Sequence, residues 1–251
     1  MSRCGNMGVL DDVERLLAKN VFHLDTQEKL VDGMTSKVKS KVLIVKCGLD
    51  PLLQQSSVQL VEDDAGAGLN LVTLTNLDPD TLVLKPDHFG VHYFKRKTYN
   101  KACDYLVLTK FQGERYAIFI DLKTVVAEDQ NLGDSIFRWE EDYDAEIVWQ
   151  MIGADAIFDG LEDVIAKKAL DSQSSPKANK VLSSRGELAK FKRRYIILYG
   201  HVDTSGESVC QSTSFQQPNI NILEKPVHVL QVPNNKTVAL GSLFSVGSLE
   251  R

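Results

Sequence analysis

The chain has 251 residues, 43% of them hydrophobic and 25% charged, and a formal net charge of −5. This composition is that of an ordinary globular protein long enough to bury a substantial core. It excludes a general polycation, so any contact with nucleic acid must come from a local basic surface. Four scattered cysteines (Cys4, Cys47, Cys103, Cys210) form no CxxC pair and no zinc-like spacing with histidine, which fits a reducing cytoplasm. No apolar run approaches membrane-spanning length and no charged-then-apolar leader opens the chain, so no membrane association is expected.

From the N-terminus, Val9 to Lys19 reads as a short amphipathic helix with Val9, Val13, Leu16 and Leu17 on one side. Asp25 and Glu28 have capping-box spacing and open a second helix that ends near Gly33. Residues 41–90 form a β-rich extension, with apolar runs at Val42 to Lys46, Val58 to Val61, Leu69 to Leu74 and Thr81 to Leu84. Gly66-Ala-Gly68 follows acidic residues and precedes no helix, so a hairpin turn fits it better than a dinucleotide loop. Lys95, Arg96, Lys97 and Lys101 then stand among Tyr93, Phe94 and Tyr99. Basic residues beside aromatic ones can grip phosphates and stack bases; the plainer reading is a strand edged with solvated lysines.

Ala102 to Thr109 and Arg115 to Lys123 are rich in aromatic and β-branched residues, and Phe111-Gln-Gly-Glu114 between them carries a turn glycine, Gly113. An antiparallel hairpin of this kind brings Asp104, at the start of its first strand, beside Asp121 and Lys123 at the end of its second. Asp121 and Lys123 are two residues apart and share a face. After the polar stretch Ala127 to Gly133, a long helix is expected from about Asp134 to Leu170, with Tyr143, Ile147, Met151, Ala154, Phe158, Leu161 and Ile165 as its core stripe. Gly153 and Gly160 mark places where it can kink, and Trp149 reads as core rather than as a base-stacking platform. Asp171 to Asn179 has loop composition. Lys190 to Arg194, including Lys192, Arg193 and Arg194, is a second candidate phosphate contact. It leads into Tyr195 to Tyr199, whose unbroken apolar run fits a central strand buried on both faces. Residues 201–251 form a β-rich tail, with two short strands, Pro226 to Val232 and Thr237 to Leu240, around an Asn234-Asn235 turn.

Asp104, the hairpin and Asp121-x-Lys123 together resemble the active-site signature of the PD-(D/E)xK nuclease superfamily, whose members include restriction-type endonucleases. The second acidic position here has the less frequent Asp form, and no proline precedes Asp104. The resemblance implies an α/β fold, a restriction-endonuclease-like αβββαβ core with a mixed central sheet and extra β-rich elements, with that core at residues 91–200 of a single domain; the N-terminal helices read above fall within its residues 1–40. It also implies Mg²⁺, with Mn²⁺ as substitute, held by Asp104 and Asp121, while Lys123 orients or deprotonates water and stabilises developing charge. In that superfamily a helix ahead of the core often adds a carboxylate, and Glu14 is the choice here over Glu28. A glutamine or lysine often stands on the helix after the D-x-K strand, which makes Gln150 an accessory candidate.

The function so implied is metal-dependent hydrolysis of phosphodiester bonds, in DNA before RNA, as in a prokaryotic or phage-related genome-defence effector. A different class of reading is a catalytically inert interaction subunit that keeps the nuclease fold and joins a protein partner or its own copies. A two-carboxylate hydrolase acting on sugars is a third, but it leaves Lys123 without a role.

Overall fold

The computed structural model describes residues 21–23, 42–46, 49–50, 55–61, 71–78, 80–86, 102–126, 143–171, 186–202, 221–222, 225–232 and 236–245. The helices expected at residues 9–19 and 25–33 and the basic, aromatic stretch at 91–101 lie outside them. Twelve strands are described: β1 (Val21–His23), β2 (Val42–Lys46), β3 (Leu49–Asp50), β4 (Gln55–Val61), β5 (Leu71–Leu77), β6 (Leu82–Leu84), β7 (Tyr105–Phe111), β8 (Glu114–Val126), β9 (Lys192–Val202), β10 (Asn221–Ile222), β11 (Lys225–Gln231) and β12 (Lys236–Ala239). The long helix α1 (Tyr143–Asp171) stands between β8 and β9, a 3₁₀ turn (Leu188–Lys190) leads into β9, and a short helix α2 (Ser242–Ser245) follows β12.

The fold is α/β with mixed sheets and mostly strands. The larger sheet has eight strands in the order β1-β2-β6-β7-β8-β9-β11-β10, and the smaller has four in the order β12-β5-β4-β3. In the larger sheet β6, β7 and β8 run antiparallel in succession. The chain then crosses over through α1 and returns as β9, parallel to β8. The hairpin that makes this possible closes on a two-residue loop, Gln112-Gly113, between the paired Phe111 and Glu114. Both loop residues have positive φ, 50° and 82°, the conformation whose twist matches that of the flanking strands.

Strand alternation gives β8 two different faces. Ile118, Ile120 and Leu122 join Tyr105, Val107, Ile196 and Leu198 in a core shared with Val58, Leu60, Val72 and Leu74 of the smaller sheet. Phe119 faces the other way and meets Phe158 of α1 edge to face, with ring centroids 6.0 Å apart. The larger sheet is thus covered by the smaller sheet on one face and by α1 on the other, and fully burying each aliphatic or aromatic side chain contributes about 1.5–3 kcal/mol. Tyr195 to Gly200 are buried, as an unbroken apolar run between two layers requires.

Several expectations change in detail. The 41–90 region divides: β2 and β6 extend the larger sheet, while β3, β4 and β5 build the smaller one. The two strands of the tail do not pair with each other. β11 runs parallel to β9 in the larger sheet, and β12 runs parallel to β5 in the smaller. Helix α1 passes through Gly153 and Gly160 without interruption. Its buried stripe holds Met151, Ala154, Ile157, Phe158 and Leu161, but Trp149 is 58% exposed. Trp149 precedes Met151 by two positions, about 200° around the helix, so it is out of phase with the stripe.

Candidate active site

The β7–β8 ladder ends at the pair Tyr105–Ile120. Carried one step further, the same register sets Asp104 opposite Asp121, where cross-strand side chains stand about 4.5–5.5 Å apart at Cβ. Asp104 lies just before β7 begins, so its carboxylate is free to turn across the ladder. Its Oδ2 accepts the Leu122 amide at 2.6 Å, taking the place of a backbone rung. This hydrogen bond fixes the Asp104 rotamer from β8 itself.

Asp121 is fully buried. It lies on the α1 face of β8, paired in register with Ile197 of β9, between the buried apolar residues Ile120 and Leu122. Lys123 Nζ stands 2.9 Å from Asp121 Oδ2. The approach lies off the hydrogen-bonding directions, and both Asp121 oxygens are buried without a hydrogen-bond donor. The contact is therefore an ion pair by distance. Burial raises the Asp121 pKa well above its ordinary value; the adjacent Asp104 charge raises it further, and Lys123 opposes both. Like charges directly opposite on a ladder are destabilising, so the fold holds these carboxylates together at a cost.

Gln150, on α1, completes the group. Its Oε1 lies 3.4 Å from Lys123 Nζ, a long hydrogen bond. Its backbone carbonyl accepts the Cys103 amide at 3.1 Å, which ties the helix to the residue preceding Asp104. Asp104, Asp121, Lys123 and Gln150 are thus brought together at one end of the hairpin, with Lys123 Nζ reaching partly exposed surface. The two amides that organise the site, Leu122 and Cys103, belong to the backbone and have no sequence signal.

The other candidates fall elsewhere. Glu14, Lys95, Arg96, Lys97 and Lys101 lie outside the described residues. Lys192, Arg193 and Arg194 pair with Tyr116, Ala117 and Ile118 of β8, whereas Asp121 pairs with Ile197. Arg193 is four residues from Ile197 along β9, roughly 13 Å at strand rise, toward the opposite end of the sheet. Alternation also sends these cations to different faces. Arg193 pairs with buried Asp155 at 2.5 Å and with Asp159, both on α1. Arg194 Nε donates to the Leu243 carbonyl at 2.7 Å beside α2. Lys192 pairs with Glu114 at 3.2 Å on exposed surface. They do not form one basic surface beside the carboxylates, because β9 sets them toward the other end of the sheet and alternation splits them between its faces.

Two adjacent carboxyl groups share a single ammonium, and Lys123 is the close cation at the buried Asp121 oxygens. Hard, anionic oxygens of this kind suit a Mg²⁺-like cation, which takes few protein carboxylates and keeps several waters. Among the described residues no three histidine, cysteine or carboxylate side chains converge as a metal cluster. No family model matches the chain, and neither a curated protein nor a solved structure does. Among the described residues no helix is long and apolar enough to cross a membrane.

Proposed function

We propose that this chain is a metal-dependent nuclease that hydrolyses phosphodiester bonds, in DNA before RNA, on a restriction-endonuclease-like core. The observation that carries the reading is Asp121: a fully buried carboxylate without a hydrogen-bond donor, set opposite Asp104 and beside Lys123. A side chain chosen for packing alone would be apolar here, since an under-partnered buried charge is costly. The succession β6-β7-β8-α1-β9, with β9 parallel to β8, supports the same reading, because it is the strand–strand–strand–helix–strand order that such a core requires.

Asp104 and Asp121 would hold Mg²⁺ or Mn²⁺, which when bound supplies Lewis-acid polarisation of a phosphoryl oxygen and a more acidic water. Asp104 is preset for this by the Leu122 amide, which occupies one of its oxygens and orients the other. Lys123 offers an ammonium at the solvent-facing side of the pair, where it can donate to a non-bridging phosphate oxygen or orient the attacking water. Gln150 restrains that ammonium through its side-chain oxygen. The alternative, an inert interaction subunit, draws on the Lys123–Asp121 ion pair, which partly neutralises the site by itself. Purified protein incubated with single- and double-stranded DNA and RNA should cleave with Mg²⁺ or Mn²⁺ and stop in chelator. Ca²⁺ should support binding better than turnover. Absence of cleavage across these substrates and ions, with a chelator-insensitive fold, would favour the inert subunit.

A further inference from the structure

Trp149 is an exposed large hydrophobic residue, 58% accessible, on a helix whose other face is packed on the sheet. It adjoins Gln150, whose side chain contacts Lys123 and whose carbonyl holds Cys103. The direction of α1 places it more closely. Gln150 stands beside Lys123, near the end of β8, while five residues later Asp155 meets Tyr195 near the start of β9, its hydroxyl 3.0 Å away. Glu162, further on, accepts the Gly186 and Leu188 amides that precede β9. The helix N-terminus therefore lies at the end of the sheet where Asp104 and Asp121 meet. Side chains on a helix lean toward its N-terminus, so the indole of Trp149 is carried toward that end, out of the packed interface and into solvent.

A largely exposed indole costs solubility, whereas beside a phosphate-handling site it offers a flat surface for an unstacked base. Every base has a π-face, so such a platform favours single-stranded or unpaired nucleic acid over fully paired duplex, in which bases are already stacked. We propose that Trp149 is the base-stacking platform of the site, and that its preferred substrate is nucleic acid with unpaired nucleotides next to the scissile phosphate. This rests on the nuclease reading above, and it specifies the substrate class.

The test uses the full chain with Trp139→Phe, which leaves Trp149 as the one tryptophan. In EDTA, a single-stranded dT20 oligonucleotide should quench its emission, and a 20-base-pair duplex should quench it far less. Trp149→Ala in the otherwise natural chain should weaken dT20 binding by about five- to 150-fold, the range of one base stack, while Trp149→Phe keeps most of the affinity. Because the ring is exposed, the circular dichroism spectrum and melting temperature should not change. Equal dT20 affinity in wild type and Trp149→Ala would overturn the platform even if both cleave DNA. Quenching without cleavage in any divalent ion would keep the platform and overturn the nuclease. Emission that depends on protein concentration and ignores the oligonucleotide would overturn the platform in favour of a protein–protein contact.

Discussion

At Asp121 the chain holds a carboxylate where packing would select an aliphatic residue, with Ile120 and Leu122 beside it and Ile197 across the ladder. Burial, and after it the charge of Asp104, raises the Asp121 pKa well above 3.8. The folded state therefore binds this proton more tightly than the unfolded chain does. Metal-free protein gains stability from this group as pH falls through the raised value toward 3.8, and loses it as pH rises. Asp121→Asn should accordingly melt higher than wild type at pH 7 without metal, by on the order of 1 kcal/mol. The difference should vanish near the ordinary carboxyl pKa, where wild type is also protonated. Mn²⁺ should then stabilise wild type and leave the variant unchanged, because the variant keeps Asp104 but has lost the second carboxylate that completes the pair. Thermal melts at both pH values check this. A variant that melts lower at pH 7 would mean that the Lys123 ion pair outweighs the burial of charge.

At the scale of elements, β9 shows how alternation redirects an apparent basic cluster. In sequence, Lys192-Arg-Arg194 is three adjacent cations. In the sheet, Arg193 turns to Asp155 and the Phe158 ring of α1, and Arg194 turns to Leu243 and the Phe244 ring of α2. Arg193→Ala should cost about 3 kcal/mol in denaturant melts, the low end for breaking a buried pair, because Asp155 keeps the Tyr195 hydroxyl. Lys192→Gln should leave the salt dependence of nucleic-acid affinity unchanged, and a fall in slope of about 0.7–0.9 would restore it as a phosphate contact. His228 of β11, paired in register with Ile196 of β9, adds a pH dependence of its own. Burial, with Arg194 second, lowers its pKa from 6.5 to about 4. The unfolded chain binds this proton more readily, so stability is lost as pH falls from 6.5 toward 4. His228→Gln should flatten that limb of the stability curve, and an unchanged limb would assign the acid loss to other groups. The hairpin was legible in sequence because alternation and the Gln112-Gly113 turn act locally. Trp149 was legible only in part: its phase against Met151 and Phe158 marks it as outward-facing, but a hydrophobic residue in a long apolar helix suggests core.

At the scale of the molecule, sequence order carried the strand–strand–helix–strand succession around Asp104, Asp121 and Lys123, since each element has its own periodicity. It did not carry the second sheet. β12 pairs parallel with β5, and β11 with β9, through contacts between distant segments that local patterns do not encode. Nor did it carry the placement of Gln150, which depends on how α1 docks once β8 and β9 are parallel. What unites the layers is the site end of β7 and β8, where a helix, a strand end and two carboxylates converge and where the fold accepts a costly buried charge. The most direct test of the account measures Mn²⁺ binding by calorimetry and DNA cleavage by gel, in parallel, for wild type, Asp121→Asn and Lys123→Ala. Wild type should bind and cleave, Asp121→Asn should do neither, and Lys123→Ala should bind the ion with cleavage reduced at least about a hundredfold, the scale of a lost electrostatic or acid–base group. Undiminished cleavage by both variants, in preparations free of contaminating nuclease, would contradict it.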